Sequence, residues 1–349
     1  MRPDHALAGR RRGQAVTQVQ SAAGDPLLEV RNLAVSFNTP DGIVEAVRGV
    51  SFDVEVGRTL GIVGESGSGK SVTTQAIVGL THGARTTGQA LFEGRQLLAM
   101  PEAQLRDIRG RGIAMIFQNP MSSLHPLYPI GWQIVEMIRA HEPVPRAKAH
   151  ARAIELLGHV GIPRPERRVN DYPHQYSGGM LQRAMIAMAI ALNPRILVAD
   201  EPTTALDVTV QAQILRLLRR LQEEHGTSII MITHDLGVIA EMAHDVLVMY
   251  AGRIMEQASR EELLRAPGHP YTQGLLRSRP RLDTVGGKLT PIPGQPPSLI
   301  APPDGCPFQA RCDRAIERCT SAPPPLEAVP GAVVAHRAAC WFPAQGATP

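Results

Sequence analysis

The sequence predicts an α/β fold in which helices cover both faces of a mainly parallel sheet. Short apolar runs rich in β-branched residues alternate with helical patterns along the chain, and such alternation is typical of parallel sheets. A glycine-rich segment, residues 64–71, also lies between an apolar run and a helical pattern. A strand, a glycine-rich turn and a helix in this order are typical of a phosphate-binding site.

Composition indicates a globular protein that does not bind nucleic acid. The chain has 349 residues, of which 43% are hydrophobic and 19% charged, which suggests two domains or one domain with additions. Aromatic residues make up only 4%, which argues against recognition of bases by stacked rings. The net charge of +4 arises largely within residues 1–24, so the remainder is nearly neutral and offers no strongly basic surface.

From the N-terminal segment and the apolar runs we expect a cytosolic protein. Residues 1–24 contain four arginines but no apolar segment after them, so we expect a disordered basic leader and not a secretory signal. No run approaches the roughly 18 apolar residues that span a bilayer. The four cysteines are therefore expected to be reduced thiols or metal ligands and not disulfides.

The elements follow in a clear order, starting with a β-rich segment at residues 27–63. The runs LLEV, AVSF, VEAV, VSFDVEV and TLGIVG predict separate short strands, and Pro40, Asp41 and Gly42 predict a tight turn between the first two runs and the others. The pattern becomes helical from Ser71 to about Leu80 and returns to a buried strand at residues 113–118.

The second half predicts an inserted helical segment followed by further strands and helices. Residues from about 121 to 190 contain three helical patterns separated by prolines. Beyond them come strands RILVAD and SIIMIT, the intervening helix VQAQILRLLRRLQEEH, a short helix and a strand pair turning at residues 251–252. Ser259 and Glu262 form a capping-box pattern for one more helix. Residues 291–349 hold 13 of the 30 prolines, which predicts a loop-rich extension.

The segment GESGSGKS at residues 64–71 fits the phosphate-loop pattern G-x-x-x-x-G-K-[ST]. Its glycines allow successive backbone N–H groups to face phosphate oxygens, and the following helix start adds partial positive charge. Lys70 is predicted to reach the β- and γ-phosphates, and Ser71 is predicted to bind Mg²⁺. The residues expected to contact the nucleotide here are Gly64, Glu65, Ser66, Gly67, Ser68, Gly69, Lys70, Ser71 and Val72.

Two adjacent carboxylates, Asp200 and Glu201, end the apolar strand ILVAD. Parallel strands present their carboxyl ends at the edge where ligands bind, so Asp200 is predicted to hold Mg²⁺ beside the phosphate loop. Glu201 is predicted to orient or deprotonate the water that attacks the γ-phosphate.

The segment from Tyr176 to Met180, YSGGM, resembles the signature of ATP-binding cassette (ABC) proteins, usually written LSGGQ. It departs from that pattern at Tyr176 and Met180, but phosphate contacts in the family come from the serine and the backbone. Ser177, Gly178 and Gly179 open a helix and form a second phosphate site turned away from Lys70. The resemblance implies a head-to-tail dimer in which each ATP lies between the phosphate loop of one subunit and the signature of the other.

Other family landmarks follow in order over residues 27–257. Phe37 resembles the aromatic that stacks on adenine, although an inward-facing strand residue explains Phe37 almost as well. Gln118 resembles the glutamine that contacts Mg²⁺ or water, Asp207 resembles the D-loop aspartate, and His234 resembles the switch histidine. The resemblance therefore implies catalytic roles for Lys70, Gln118, Glu201 and His234.

The family resemblance also implies an architecture. We expect a P-loop NTPase cassette with a RecA-like core, an antiparallel β-subdomain and an inserted helical subdomain at about 121–190. The predicted divisions are a leader at 1–24, an ABC ATPase domain at 25–265 and a Pro/Cys-rich C-terminal extension at 266–349.

The flanking segments resemble a narrower group, the ATPase subunits of bacterial dipeptide and oligopeptide importers. The segments are FQNPMSSLHPLYPIG, NDYPHQYSGGM and GHPYT, together with the Pro/Cys tail. This implies ATP-driven peptide uptake through two transmembrane permease subunits, a second cassette subunit that is a copy or a paralogue, and an extracytoplasmic binding protein. The chain would then sit peripherally on the cytoplasmic face of the membrane. An importer for nickel, glutathione or another solute remains an alternative.

Two other classes of function fit less well. A soluble cassette ATPase acting on DNA or ribosomes usually carries two cassettes or a long heptad insertion, and neither is present. A non-hydrolysing regulatory subunit is disfavoured because Ser177, Glu201, Asp207 and His234 are all retained.

All four cysteines lie within a Pro-rich segment: Cys306, Cys312, Cys319 and Cys340. Four thiols concentrated there suggest one four-ligand metal site. The spacing matches neither a zinc ribbon nor a compact ferredoxin run, so zinc, iron–sulfur and simply reduced thiols all stay open. Some peptide-importer ATPases carry a [4Fe–4S] cluster at corresponding cysteines, and this resemblance favours the cluster.

Overall fold

The computed structural model describes residues 25–204, 206–278, 291–332 and 335–343. The predicted leader at 1–24 lies outside these residues. None of the helices among the described residues is long and apolar enough to cross a bilayer.

Two sheets organise the chain. The smaller is antiparallel with strand order β2-β1-β4-β5, and the larger has the order β11-β12-β10-β9-β3-β8-β7-β6. The five strands from β9 to β6 pair in parallel, which confirms the predicted mainly parallel sheet of an α/β fold. The strands are β1 (Leu28–Thr39), β2 (Gly42–Val54), β3 (Thr59–Val63), β4 (Ala84–Phe92), β5 (Arg95–Gln96), β6 (Ile113–Ile116), β7 (Ile196–Asp200), β8 (Ser228–Thr233), β9 (Asp245–Tyr250), β10 (Arg253–Ser259), β11 (Glu327–Ala328) and β12 (Arg337–Ala338).

The prediction of four short strands before β3 was wrong. LLEV, apart from its first residue, and AVSF belong to the single strand β1, and VEAV and the first five residues of VSFDVEV belong to β2. The apparent break in β1 is a change of register between Val30 and Leu33, where Asn32 adopts a left-handed conformation with φ 50°. A bulge interrupts the two-residue alternation without ending the strand.

The parallel strands are buried on both faces, as the sequence predicted. In β7, Ile196 and Val198 pack into the core shared with the antiparallel sheet, whereas Leu197 and Ala199 face the core shared with the helices. The alternation of side chains along a strand sends its residues to opposite faces. Both layers therefore fix the position of Asp200 at the carboxyl end of this strand.

Helices surround the larger sheet, and the segment between β6 and β7 is helical as predicted. Pro129 and Pro145 directly precede α4 and α5, where a residue without a backbone N–H is tolerated at a helix start. The helices are α1 (Lys70–Ile77), α2 (Glu102–Ile108), α3 (Pro120–Ser123), α4 (Ile130–His141), α5 (Arg146–His159), α6 (Pro165–Arg168), α7 (Gly178–Ala189), α8 (Val208–His225), α9 (Leu236–Met242), α10 (Arg260–Arg265), α11 (Pro270–Arg277) and α12 (Arg318–Ser321).

The loop-rich extension joins the larger sheet through two short strands that the sequence did not predict. Strand β12 pairs with β10 through Ala338 opposite Glu256 and Arg337 opposite Gln257, and β11 pairs with β12. Two-residue strands give no periodic pattern, because one alternation is too short to distinguish from a loop. The proposed domain divisions stay predictions.

Candidate functional site

The phosphate loop connects β3 to α1 and closes around the Lys70 side chain. Lys70 Nζ donates hydrogen bonds to the carbonyl oxygens of Gly64 and Glu65, each at 2.8 Å. Lys70 is only 5% exposed, and this burial lowers the pKa of its ammonium group. The loop therefore holds a desolvated cation at its centre, and low local dielectric strengthens its attraction for an anion.

Two glycines permit this loop geometry. A Cβ on Gly64 would lie 2.1 Å from the carbonyl oxygen of Met249, which no side chain tolerates. Gly69 precedes α1 with φ 97° and provides no side-chain cap. The first N–H groups of α1 are thus not occupied by a capping side chain and point, with the helix dipole, toward the loop.

Ser71 and Asp200 come together beside the loop. Ser71 Oγ donates a hydrogen bond to Asp200 Oδ1 at 2.8 Å. Burial raises the pKa of the Asp200 carboxyl, and the Ser71 hydrogen bond partly opposes this effect. A hydroxyl and a buried carboxylate are hard oxygen donors of the kind that suits Mg²⁺.

Glu201 is surrounded by three polar side chains. Gln118 Nε2 and Thr204 Oγ1 each lie 2.8 Å from Glu201 Oε2 and donate to it, and His234 Nδ1 lies 3.2 Å from Oε1. Burial alone would raise the pKa of Glu201, but the hydrogen bonds from Thr204 and His234 bring the pKa below its ordinary value. Glu201 is therefore ionised at neutral pH and able to accept a proton.

The backbone at Glu201 has an unusual conformation, with φ 47°. Its N–H donates to the carbonyl oxygen of Ile232 at 2.9 Å, which ties it to the end of the neighbouring strand β8. A left-handed conformation costs free energy in a residue with a side chain. The tie to β8 and the side-chain contacts hold Glu201 in this position next to Asp200.

The signature residues occupy a separate helix start at α7. Ser177 is its N-cap, and Ser177 Oγ accepts a hydrogen bond from the backbone N–H of Met180 at 3.4 Å. Ser177 and Gly178 are exposed, and a Cβ on Gly178 would meet nothing within 4 Å. Within the described part of the chain, no hydrogen bond joins these residues to the phosphate loop.

The departure from the family pattern at Tyr176 has a structural explanation. The Tyr176 ring is buried, and its hydroxyl donates to the carbonyl oxygen of Arg168 at 2.8 Å. Burial raises the pKa of this phenol to about 12. Tyr176 thus packs inward beneath the helix start and leaves Ser177 and the glycines unobstructed.

Phe37 and Asp207 lie outside the polar cluster. Phe37 stands opposite Val44 and Ala84 in the antiparallel sheet and packs partly on its core. Asp207 is exposed and caps α8, with Oδ1 accepting from the N–H of Val210 at 2.9 Å. Neither position tests its predicted contact with a nucleotide or a partner subunit.

Comparison with known proteins identifies two matching regions, one in the nucleotide-binding part of the chain and one in the C-terminal part. A model of the ABC transporter family matches residues 47–204, and a model of the C-terminal region of oligopeptide/dipeptide transporters matches residues 255–319. The chain is 48% identical over 332 residues to the oligopeptide transport ATP-binding protein OppD of Escherichia coli (strain K12), which covers 95% of this chain and 97% of that protein. The chain belongs to the oligopeptide/dipeptide ABC transporter ATP-binding family.

Further relatives and solved structures support this assignment. The dipeptide transport ATP-binding protein DppD of Bacillus subtilis (strain 168) is 48% identical, over 93% of this chain and 96% of that protein. The ATP-binding cassette MJ0796, solved as a dimer in a post-hydrolysis state with ADP and Pi, aligns with a TM-score of 0.61 at 28% identity. That alignment covers 67% of this chain and 98% of MJ0796.

In this ABC cassette the GHPYT segment at residues 268–272 has a structural role that its sequence did not reveal. Buried Glu256 accepts hydrogen bonds from the backbone N–H groups of Gly268 and His269, and His269 Nδ1 accepts from the N–H of Tyr271 at 3.0 Å. Burial lowers the pKa of His269 to about 4, so its imidazole is neutral. Tyr271 in turn reaches the phosphate loop, where its hydroxyl oxygen accepts from the Glu65 N–H at 2.9 Å.

The four cysteines of the extension line one cavity of about 20 Å³. Burial raises the pKa of Cys306 to about 11 and also raises those of Cys312 and Cys340, so these three thiols are protonated unless a metal binds. Among the described residues, no group of three or more His, Cys, Asp or Glu side chains is placed to hold a single metal ion. The four thiols therefore share a cavity, and the predicted metal site stays a prediction.

Sequence reasoning missed three residues that hold the site. Thr204 lies three residues after Glu201 and donates a hydrogen bond to its carboxylate. This short separation in sequence could have indicated the contact. Tyr271 and Arg311 contact Glu65 across 206 and 246 residues of sequence, and no local pattern reports such contacts.

Proposed function

We propose that this ABC transporter ATPase, the ATP-binding subunit of an oligopeptide or dipeptide importer, hydrolyses MgATP with Glu201 as the base. The observation that carries the proposal is the set of hydrogen bonds from Gln118, Thr204 and His234 to Glu201 beside the Ser71 and Asp200 pair. A carboxylate held on several sides has a fixed orientation, and fixed orientation is what proton abstraction requires.

Some residues of the site would bind MgATP, and others would act in its hydrolysis. Lys70 and the N–H groups of α1 bind the triphosphate, and Phe37 supports the adenine. Ser71, Asp200 and Gln118 would hold Mg²⁺, which when bound offsets the negative charge of the phosphate oxygens. Glu201 accepts the proton of the attacking water, and His234 contacts the γ-phosphate from its exposed position at the end of β8.

A second cassette completes the site. Ser177, Gly178 and Gly179 lie at an exposed helix start, where free N–H groups attract an anion presented from outside. We propose that they contact the ATP bound by the phosphate loop of a facing subunit, with Asp207 at the subunit boundary. The dimer of MJ0796, a cassette of similar fold, is consistent with this arrangement.

The assembly that follows is a peripheral complex on the cytoplasmic face of the membrane. Two permease subunits form the path for the peptide, and an extracytoplasmic binding protein delivers it. The relatives are named as oligopeptide and dipeptide transport proteins, which supports peptides as the cargo over nickel or glutathione.

We further propose a [4Fe–4S] cluster held by Cys306, Cys312, Cys319 and Cys340. Its support is the common cavity that the four thiols line. A zinc ion needs its sulfur ligands about 2.3 Å from one point, and the described residues are not grouped in that way. Iron and sulfide analysis of anaerobically prepared protein should find both elements in the wild type and less in Cys312→Ser, whereas zinc alone would contradict the cluster.

The transport function is tested by reconstitution. The chain is co-expressed with its permeases and paired cassette, purified, and placed in liposomes that enclose ATP. The binding protein and a labelled peptide are added outside, and uptake of the peptide is followed. Uptake should require ATP and should fall at least tenfold in Lys70→Ala, because the loop loses its central cation. ATP-independent uptake, or equal uptake by Lys70→Ala, would contradict the proposal.

A further inference from the structure

A bidentate ion pair links the C-terminal extension to the phosphate loop. The Arg311 guanidinium donates to both carboxylate oxygens of Glu65, at 2.7 Å to Oε2 and 3.0 Å to Oε1. Arg311 lies in the region that matches the oligopeptide/dipeptide transporter C-terminal model, and Glu65 lies in the region that matches the ABC transporter model. The pair therefore joins the part that marks this subfamily to the part that binds nucleotide.

Arg311 is held rigidly on the extension side. Its side chain is 5% exposed, and it donates to the carbonyl oxygens of Pro293 and Ile292 at 2.8 and 3.2 Å and to the hydroxyl of Tyr250 at 3.1 Å. The hydrogen bonds to Glu65 raise the pKa of Arg311, so its charge is permanent. Because each N–H group of the buried guanidinium has a hydrogen-bond acceptor, the Arg311 side chain is fixed in an orientation that faces Glu65.

Three groups of Glu65 make hydrogen bonds: its carboxylate, its backbone N–H and its backbone carbonyl oxygen. Its carboxylate binds Arg311, its N–H donates to the hydroxyl oxygen of Tyr271 at 2.9 Å, and its carbonyl oxygen accepts from Lys70 at 2.8 Å. Two of these three contacts come from the extension. The conformation of the loop residue that follows Gly64 is thus determined jointly by Lys70 and by residues more than 200 positions away.

The same extension touches the adenine side of the proposed site. The backbone N–H of Glu45 in β2 donates to the carbonyl oxygen of Leu299 at 2.8 Å, next to Val44, the strand neighbour of Phe37. The extension therefore contacts both the phosphate loop and the strand that pairs with β1 at Phe37.

We propose that Arg311 is a positioning residue for ATP binding. It holds the Glu65 carboxylate on the extension side of the loop, away from the position of the triphosphate, and so keeps the loop carbonyls on Lys70. Without Arg311, a partly buried carboxylate without its cation stands beside the phosphate site, where like charge weakens anion binding. This inference rests on the proposed function, since it assumes that residues 64–71 bind ATP.

The test compares ATP binding by full-length variants with substitutions in the C-terminal extension. ATP affinity is measured by titration with a fluorescent ATP analogue, and KM and kcat are measured in the assembled transporter. Arg311→Ala should weaken ATP binding about tenfold, within the range typical of coupling between sites, and raise KM while kcat changes less than about twofold. Arg311→Lys should lie in between, because lysine keeps the charge but cannot span two oxygens.

Arg318→Ala is the matched control for loss of an arginine contact within the extension. Arg318 lies over the Trp341 ring at 3.6 Å and, among the residues that the structure describes, makes no hydrogen bond or ion pair with the phosphate loop, so ATP affinity should stay at the wild-type value. If Arg318→Ala weakens ATP binding as much as Arg311→Ala, loosening of the extension is the cause and the proposal is wrong.

Glu65→Gln tests the pair from the cassette side and does not depend on the fold of the extension. Because it removes the carboxylate whose charge Arg311 neutralises, it should weaken ATP binding less than Arg311→Ala does, and adding it to Arg311→Ala should recover most of the lost affinity. A double variant that binds ATP as weakly as Arg311→Ala, or more weakly, would overturn the proposal. If the wild type and Lys70→Ala bind ATP equally poorly, the proposed function fails instead, so the two failures are distinguishable.

Discussion

The two glycine-containing helix starts of this cassette, at α1 and α7, differ in how far the chain itself has assembled them. At α1, Lys70 is buried, two loop carbonyls bind its ammonium, and Glu65 is fixed by residues of the extension. At α7, Ser177 and Gly178 are exposed, and open space surrounds Gly178.

The difference indicates that a glycine-rich helix start needs further polar groups around it to form a complete binding site. Both starts offer free N–H groups and a helix dipole. The start of α1 also has a desolvated cation and a carboxylate pair, whereas the start of α7 has only its cap. We therefore expect α1 to bind nucleotide in a single subunit and α7 to act only when a second subunit faces it.

The largest effect should come from separating binding from turnover with Glu201→Gln. Glutamine keeps the shape and leaves both helix starts unchanged, but it cannot accept the proton. ATP hydrolysis should fall by about a thousandfold, while ATP binding persists and dimers accumulate because the reopening step is lost. Turnover is measured by phosphate release and dimer formation by size-exclusion chromatography with ATP. Hydrolysis at the parental rate would show that Glu201 is not the base.

The next effect compares the same substitution, glycine to alanine, in the two loops. Gly64→Ala should lower the free energy of unfolding by about 3 kcal/mol, because the new Cβ would overlap the carbonyl oxygen of Met249. Gly178→Ala should leave stability unchanged or slightly higher, since alanine favours a helix. Denaturant unfolding of both variants measures the difference. Equal stability of the two variants would show that the α1 loop is not held as tightly as its contacts indicate.

The contrast between the two loops also explains what the sequence predicted. The phosphate loop, Asp200 and Glu201 are each specified by a few adjacent residues at a strand end, so their placement follows from local pattern, whereas His234 was identified through its resemblance to the switch histidine of the family. Arg311 and Tyr271 are invisible to such reasoning, because their partner Glu65 is more than 200 residues away. The continuous strand β1 was misread because the bulge at Asn32 interrupts an alternation that only the neighbouring strands maintain.

A smaller effect is expected at the cap of α7. Ser177→Ala should reduce ATP turnover of the assembled dimer about tenfold, comparable to removal of one hydrogen bond to a charged phosphate, while ATP affinity of the isolated subunit stays unchanged. Ser259→Ala is the control, since Ser259 caps α10 with an equivalent bond to the N–H of Glu262 at 3.2 Å. Similar loss of turnover in both variants would attribute the effect to helix capping and not to a second phosphate site.

The smallest effect tests whether Tyr176 serves only to support the start of α7. Tyr176→Phe removes the hydrogen bond to the carbonyl oxygen of Arg168 and should lower the free energy of unfolding by about 1 kcal/mol, with ATP turnover unchanged. Tyr128→Phe should leave stability unaffected, because the Tyr128 ring is 41% exposed and its hydroxyl remains hydrated. Denaturant unfolding and phosphate release measure the two variants. Loss of turnover in Tyr176→Phe at unchanged stability would assign the hydroxyl a direct part in the second phosphate site, and would make the start of α7 more elaborate than an exposed cap.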